Sequence, residues 1–256
     1  MSLQQIFVLY KREFKKIYRS KYTIFMLLIQ PLMWLVFFGS SLGRLPTALT
    51  QELFKTSNYL SFILPGVLSL VMLFVGMFAS MSLIQDKRYG YLRRIMVAPV
   101  NGEVPLFSKL LGGLTRGLIE VPIVLIIGIA MGASINFSLT SVLIMIASVV
   151  LLGITFSSVF LLLTLKTSDL QAPGVISSLI LFPLMFSSTA IFPSNLFPSW
   201  LELLSKFNPL TYSVDLIRNA FLGYSFNLNY LIFLLVYAII FLFLDFILGR
   251  KYLSSE

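Results

Sequence analysis

Residues 85–105 read QDKRYGYLRRIMVAPVNGEVP, the one place in this chain where charge, two glycines and two prolines crowd together. On either side lie long apolar runs, 62–84 before and 106–132 after. Each is near or above the roughly 20 residues that cross a bilayer as a helix. A polar island between two such runs is a loop in water between two membrane helices, and this fixes the fold class as all-α and integral to the membrane. Composition agrees. The 256 residues are 58% hydrophobic and only 11% charged, with a mean hydropathy of +0.94, whereas a soluble domain carries about 25% charge.

Working outward, further apolar runs fall at 22–42, 138–165, 170–192 and 228–249, giving six predicted spans. Pro31, Pro122, Pro173 and Pro183 lie inside runs, where neighbouring helices can satisfy the freed carbonyls. Before the first run, Leu3, Ile6, Phe7, Tyr10, Phe14, Ile17 and Tyr18 recur at three- and four-residue spacings. Lys11, Arg12, Lys15, Lys16 and Arg19 fill the other face. That pattern predicts an amphipathic helix in the membrane interface over 1–21. The alternative is a helix packed on a soluble partner.

Basic residues set the orientation. They gather in the N-terminal segment, in 85–105 (Lys87, Arg88, Arg93, Arg94), at Lys166 and at Arg250–Lys251. The opposite loops hold only Arg44, Lys55, Lys206 and Arg218. Both termini and 85–105 are therefore expected in the cytoplasm. The net charge of +9 suits an anionic inner leaflet and no nucleic acid. No Cys and no His are present, which removes thiolate, imidazole and the usual zinc chemistry. No G-x-x-x-x-G-K-[ST] loop is present either. No catalytic or metal-binding residue is expected. Residues 193–227 are too apolar for an ordinary loop and are broken by Pro193, Pro198 and Pro209. They read as two short helices forming a re-entrant external segment before the last span, or as an interfacial aromatic belt.

Within 85–105, Asp86 is positioned to cap or start a short helix. Leu92, Ile95 and Met96 share one face of it and Arg93 and Arg94 another. Ala98–Gly102 stops the helix, and Glu103 and Pro105 open the next span. The element reads either as a transmitter of force from a soluble partner or as a basic loop that sets topology. Arg116 and Glu120, four apart, are predicted to pair within the third span. Glu120 is also the nucleus of a rival reading, an ion-coupled secondary transporter. Asp215 and Arg218, three apart, are predicted to pair locally. An Asp245–Arg250 pair is expected near the C-terminus, and Gly39 and Gly43 form a candidate small-residue helix seam.

The 85–105 stretch also resembles the signature of membrane subunits of type-2 ABC transporters: an acidic residue, a glycine four positions on, then a leucine-containing stretch ending in Ala-Pro-Val. Here these are Asp86, Gly90, Leu92, Ala98, Pro99 and Val100. A second match runs from Phe192 to Arg218, through Pro193, Pro198, Trp200, Asn208, Pro209, Tyr212, Asp215 and Arg218. The resemblance covers nearly the whole chain, read as a single transmembrane domain over 1–256. It implies the permease of an ATP-driven exporter of amphipathic substrates in a prokaryotic cell membrane, dimerised with itself or a close relative. Two copies of a separate ATPase would supply ATP and Mg, with no cofactor in this chain. It implies that Asp86, Gly90, Leu92, Arg93, Arg94, Ile95 and Pro99 form the coupling segment to that ATPase. The chain departs from the family pattern at Tyr91 and Arg93, where relatives commonly carry Thr and Glu, so charge pairing seen in relatives does not carry over.

Overall fold

The computed structural model describes residues 3–19, 21–98, 100–167, 169 and 171–253. Among them the chain forms eleven α-helices and a single 3-10 turn, with no strand. They are α1 (Leu3–Arg19), α2 (Lys21–Leu42), α3 (Thr47–Phe54), α4 (Tyr59–Arg88), α5 (Tyr91–Met96) and α6 (Glu103–Ala130). Then come α7 (Leu139–Thr164), α8 (Ala172–Phe186), α9 (Ser199–Ser205), α10 (Pro209–Leu222) and α11 (Asn229–Leu253).

The fold is built around α4. Its 30 residues give a helix of about 45 Å, longer than the hydrocarbon layer of about 30 Å. It packs against α2, α6, α7, α8 and α10. Nearly every residue from Tyr59 to Val75 is buried, so this helix is apolar all round rather than amphipathic. Two glycines let neighbouring backbones approach it. A Cβ on Gly66 would lie 2.1 Å from the Ala190 carbonyl oxygen, and one on Gly76 would lie 2.5 Å from that of Phe156.

Among the described residues four helices, α4, α6, α7 and α11, are long and apolar enough to cross a membrane. The two other predicted spans contain shorter apolar helices, Leu28–Leu42 and Gly174–Phe186. The fifth run, read as 170–192, is helical only to Phe186. Ser187 and Ser188 then turn the chain, their N–H groups returning to Pro183 O and Met185 O. The two short helices expected after it are present as α9 and α10. α10 is buried against α4, α7 and α11, whereas Trp200, Leu203 and Leu204 of α9 are exposed.

Three details differ from the sequence reading. α3 was not foreseen. It lies between the first two spans and ends in a left-handed Lys55. Asp86 does not cap the short helix: α4 continues through it to Arg88, and Gly90, at φ +68°, makes the turn into α5. Gly39 is not free for a seam with another chain, since a Cβ there would lie 2.4 Å from Leu60 Cδ2 of α4.

Candidate functional site

The C-terminal ends of α4, α7 and α11 meet the N-terminal end of α6 and the whole of α1 at one end of the bundle, the end rich in Lys and Arg. Leu83, Leu92, Leu106, Leu110, Leu165 and Leu253 form a small apolar cluster there, separate from the main core. Across it lies a buried ion network. Arg12 of α1 donates two bonds to the Asp86 carboxylate, Nη1 to Oδ2 at 2.6 Å and Nη2 to Oδ1 at 2.8 Å. Such a fork-to-fork contact is the strong form of an ion pair. Lys109 of α6 donates to Asp86, to Glu13 Oε1 at 2.8 Å and to Ser82 Oγ at 2.8 Å. Ser82 in turn donates to Glu13 Oε2 at 3.0 Å. Lys16 donates to both carboxylates at 3.2 Å.

Lys109 is 3% exposed, Asp86 5% and Glu13 7%. Burial alone would push the Glu13 carboxyl up. The Lys109 ammonium, bonded to it, and Lys16 outweigh that and hold it below the usual carboxylate range. Glu13 is therefore ionised at neutral pH. The network fixes α1 to the ends of α4 and α6 through long-range contacts that no local propensity would form.

α5 is joined to the same network. Leu92 is buried in the apolar cluster. The Tyr91 ring lies under the Arg12 guanidinium at 3.4 Å, close enough for a cation–π contact. The departure from the family pattern at Tyr91 thus has a structural partner in α1. Arg93 and Arg94 point to solvent, Ile95 and Met96 are half-buried, and Tyr89 and Val97 are exposed at either end. α5 is pinned from below and presents a basic face flanked by two apolar side chains. Pro99 lies outside the described residues. Asp86 belongs to the inner side of this arrangement: its carboxylate is occupied by Arg12, Lys16 and Lys109.

The structure does not bring the other predicted candidates together uniformly. Asp215 and Arg218 do pair, at 3.4 Å. Arg218 does more than pair: its Nε donates to Phe62 O at 3.1 Å, its Nη2 to Thr189 O at 2.6 Å, and its guanidinium covers the Phe62 ring. It ties α10 to the start of α4 and to the turn after α8. Arg116 and Glu120 do not close the expected ion pair. Arg116 instead lies flat over Phe78 of α4 at 3.6 Å, and its Nε has no hydrogen-bond partner. Packing against α4 wins over the i, i+4 contact. Asp245 likewise forms no ion pair with Arg250 among the described residues; its carboxyl is buried beside Ser158 of α7.

Among the described residues no group of three or more His, Cys, Asp or Glu side chains could hold a metal ion. Sequence reasoning missed the network itself. Two signals pointed to it: Glu13 is the single acid on an otherwise basic helix, and Lys109 is a cation inside an apolar run.

The sequence profile of the ABC-2 type transporter family matches residues 4–222. The chain is 35% identical to the transport permease ycf38 of Cyanophora paradoxa over 218 residues, covering 84% of this chain and 73% of that one. It is 30% identical to ycf38 of Porphyra purpurea, over 84% and 73% of the two chains. It is 23% identical to the daunorubicin resistance ABC transporter permease protein DrrB1 of Streptomyces coeruleorubidus, over 77% and 68%. The match takes in α1, the basic-end network, α5 and the α9–α10 segment, and the chain belongs to the ABC-2 type transporter family of membrane permeases.

Proposed function

We propose that this permease is the membrane half of an ATP-driven exporter and that α5 is its contact with a separate ATPase. The observation that carries the reading is the linkage of α5 to three other helices. Leu92 seats α5 in the apolar cluster, Tyr91 stacks on Arg12, and Arg12 shares Asp86 with Lys109. A push on the exposed Arg93–Arg94 face would move α1, α4 and α6 as one body. An anionic cleft with an apolar floor would suit that face, with Tyr89 and Val97 as its apolar contacts. ATP and Mg would be held by the ATPase, since this chain has no phosphate-binding loop.

In this reading α2 and α8 complete six crossings, with α9–α10 as a re-entrant segment at the external side. The basic end, and with it both termini, faces the cytoplasm, and the membrane is the cell membrane of a prokaryote. Two copies, or one copy with a close relative, enclose the path. The exposed stripe Val175, Leu179, Phe182 and Phe186 on α8 supports a face that meets another membrane helix or lipid. The substrate class is amphipathic: a drug-like molecule, a lipid or a peptide. ATP binding would shift two-state helices rather than deform them continuously.

The test is the double variant Arg93→Glu with Arg94→Glu, co-expressed with its ATPase. The variant should reach the membrane in normal amount and fail to co-purify with the ATPase. Unchanged co-purification and transport would remove the coupling role. Transport by the purified chain alone, driven by a proton gradient, would replace the reading with ion-coupled transport centred on Glu120.

A further inference from the structure

Beneath α1, two cavities meet at a pair of side chains. The first, about 300 Å³, lies between α1, α4 and α6, and Lys16, Ser82, Gln85, Lys109 and Arg116 bring polar groups to it. The second, about 120 Å³, is apolar, walled by Phe14, Ile17, Tyr18, Leu28, Ile119 and Ile123. Ile17 and Arg116 line both. A cation-lined chamber that opens into an apolar groove, under an amphipathic helix, has the chemistry of a site for an amphiphile with an anionic head.

The charges available to a ligand can be separated from those already engaged. Lys109 is taken by Glu13, Asp86 and Ser82. Glu13 lines the first chamber, but its oxygens are occupied by Lys109, Lys16, Arg12 and Ser82. Arg116 is different. Phe78 covers one face of its guanidinium, Glu120 lies near enough to act on its charge without forming a salt bridge, and its buried Nε has no acceptor. A guanidinium carries five N–H donors in a planar fork that matches phosphate. Glu120, one turn further along α6, lines the second groove with Arg116 and not the first chamber, so its carboxylate stands on the tail side of Arg116.

We infer that α1, α4 and α6 hold one anionic phospholipid, its phosphate on Arg116 and Lys16 and an acyl chain in the groove under Phe14 and Ile17. The occupant supplies the acceptor that Arg116 lacks and fills the space between α1 and α6. The half-exposed Lys16 spends two of its three ammonium donors on Glu13 and Asp86 and keeps the third for a ligand at the chamber's rim. The site is independent of the ATPase reading, since neither Arg93 nor Arg94 lines it.

The experiment is native mass spectrometry of the full chain, released from detergent after titration with phosphatidylglycerol or phosphatidylcholine. One phosphatidylglycerol per chain should be retained at collision energies that strip phosphatidylcholine. Arg116→Gln should lower the retained fraction about five-fold, the effect of one basic residue at an anionic lipid surface. Ile119→Trp, at a residue that is 45% exposed and so tolerant of bulk, should lower it as well by filling the groove. Lys15→Gln, which lines neither cavity, should leave it unchanged. Equal retention of the two lipids overturns the site, as does retention unchanged by Arg116→Gln. A loss in Lys15→Gln as large as in Arg116→Gln also overturns it, because it would mark diffuse attraction. So does a co-purified amphiphile of another class that phosphatidylglycerol fails to displace.

Discussion

At the basic end of the bundle, α1 is held to α4 and α6 by two carboxylates, two lysines and an arginine. At the far end, α10 and the turn before α7 are held almost wholly by neutral groups. There Asn136 donates its backbone N–H to Phe221 O at 2.7 Å, and Ser141 Oγ donates to Ala220 O at 2.8 Å. Asn58 caps α4 through Leu60 N and donates to Gly132 O at 2.7 Å. Tyr59 reaches Ile191 O, and Tyr224 reaches Lys55 O. Arg218 is the one buried cation among them, and two of its bonds go to carbonyls. Short neutral side chains on backbone carbonyls fix a geometry and respond little to their surroundings. Long charged side chains hold by a balance of charge, and they respond when a nearby protein or lipid changes that balance. The end that is proposed to meet the ATPase is the end built from the responsive kind.

The comparison can be broken most directly at Asp86. Asp86→Asn leaves Arg12 and the buried Lys109 facing an uncharged amide, and should cost about 3 kcal/mol, read as a lowered unfolding temperature in detergent. Equal stability would mean that the network is not what holds α1. At the far end, Arg218→Met removes bonds to two carbonyls and should cost about 2 kcal/mol, with no loss of α1 docking as read by proteolysis near the N-terminus. Asn58→Ala should cost about 1 kcal/mol through the lost cap of α4.

Acid gives the smallest effect within the working range and separates the ends without mutation. Glu13 is held below its ordinary value, so its contribution is complete above about pH 4.5. It is lost only as pH falls through the depressed value. Stability measured from pH 8 to pH 5 should therefore be flat with respect to this group. Below pH 4, α1 should loosen before the neutral far end does. A loosening of α1 as pH falls through about 6 would contradict the charge state assigned to Glu13.

Much of this architecture was legible because membrane helices announce themselves by length and apolarity. The runs that became α4, α6, α7 and α11 needed nothing more. α8 was misjudged in length because Ser187–Ile191 remains apolar enough to continue a span, yet its backbone turns to place the Ala190 carbonyl against Gly66. α3 carries no strong periodicity and was invisible. At the site, the exposed face of α5 could be read from the i, i+3, i+4 pattern of Leu92, Ile95 and Met96. The network could not, since Glu13 and Lys109 stand 96 residues apart and only packing brings them within reach. Arg116 and Glu120 show the converse: the spacing permits a pair, and Phe78, on another helix, takes the arginine.

The clamp on α1 also sets an order of assembly. Arg12 and Glu13 are made early, but Asp86 follows Arg12 by 74 residues and Lys109 follows Glu13 by 96. At about 5–20 residues per second, α1 waits on the order of 5–20 s before its partners have been synthesised. During that time its basic face has only lipid headgroups and water to meet. α1 therefore docks only after α4 and the start of α6 have been made, while α7 to α11 are still to come.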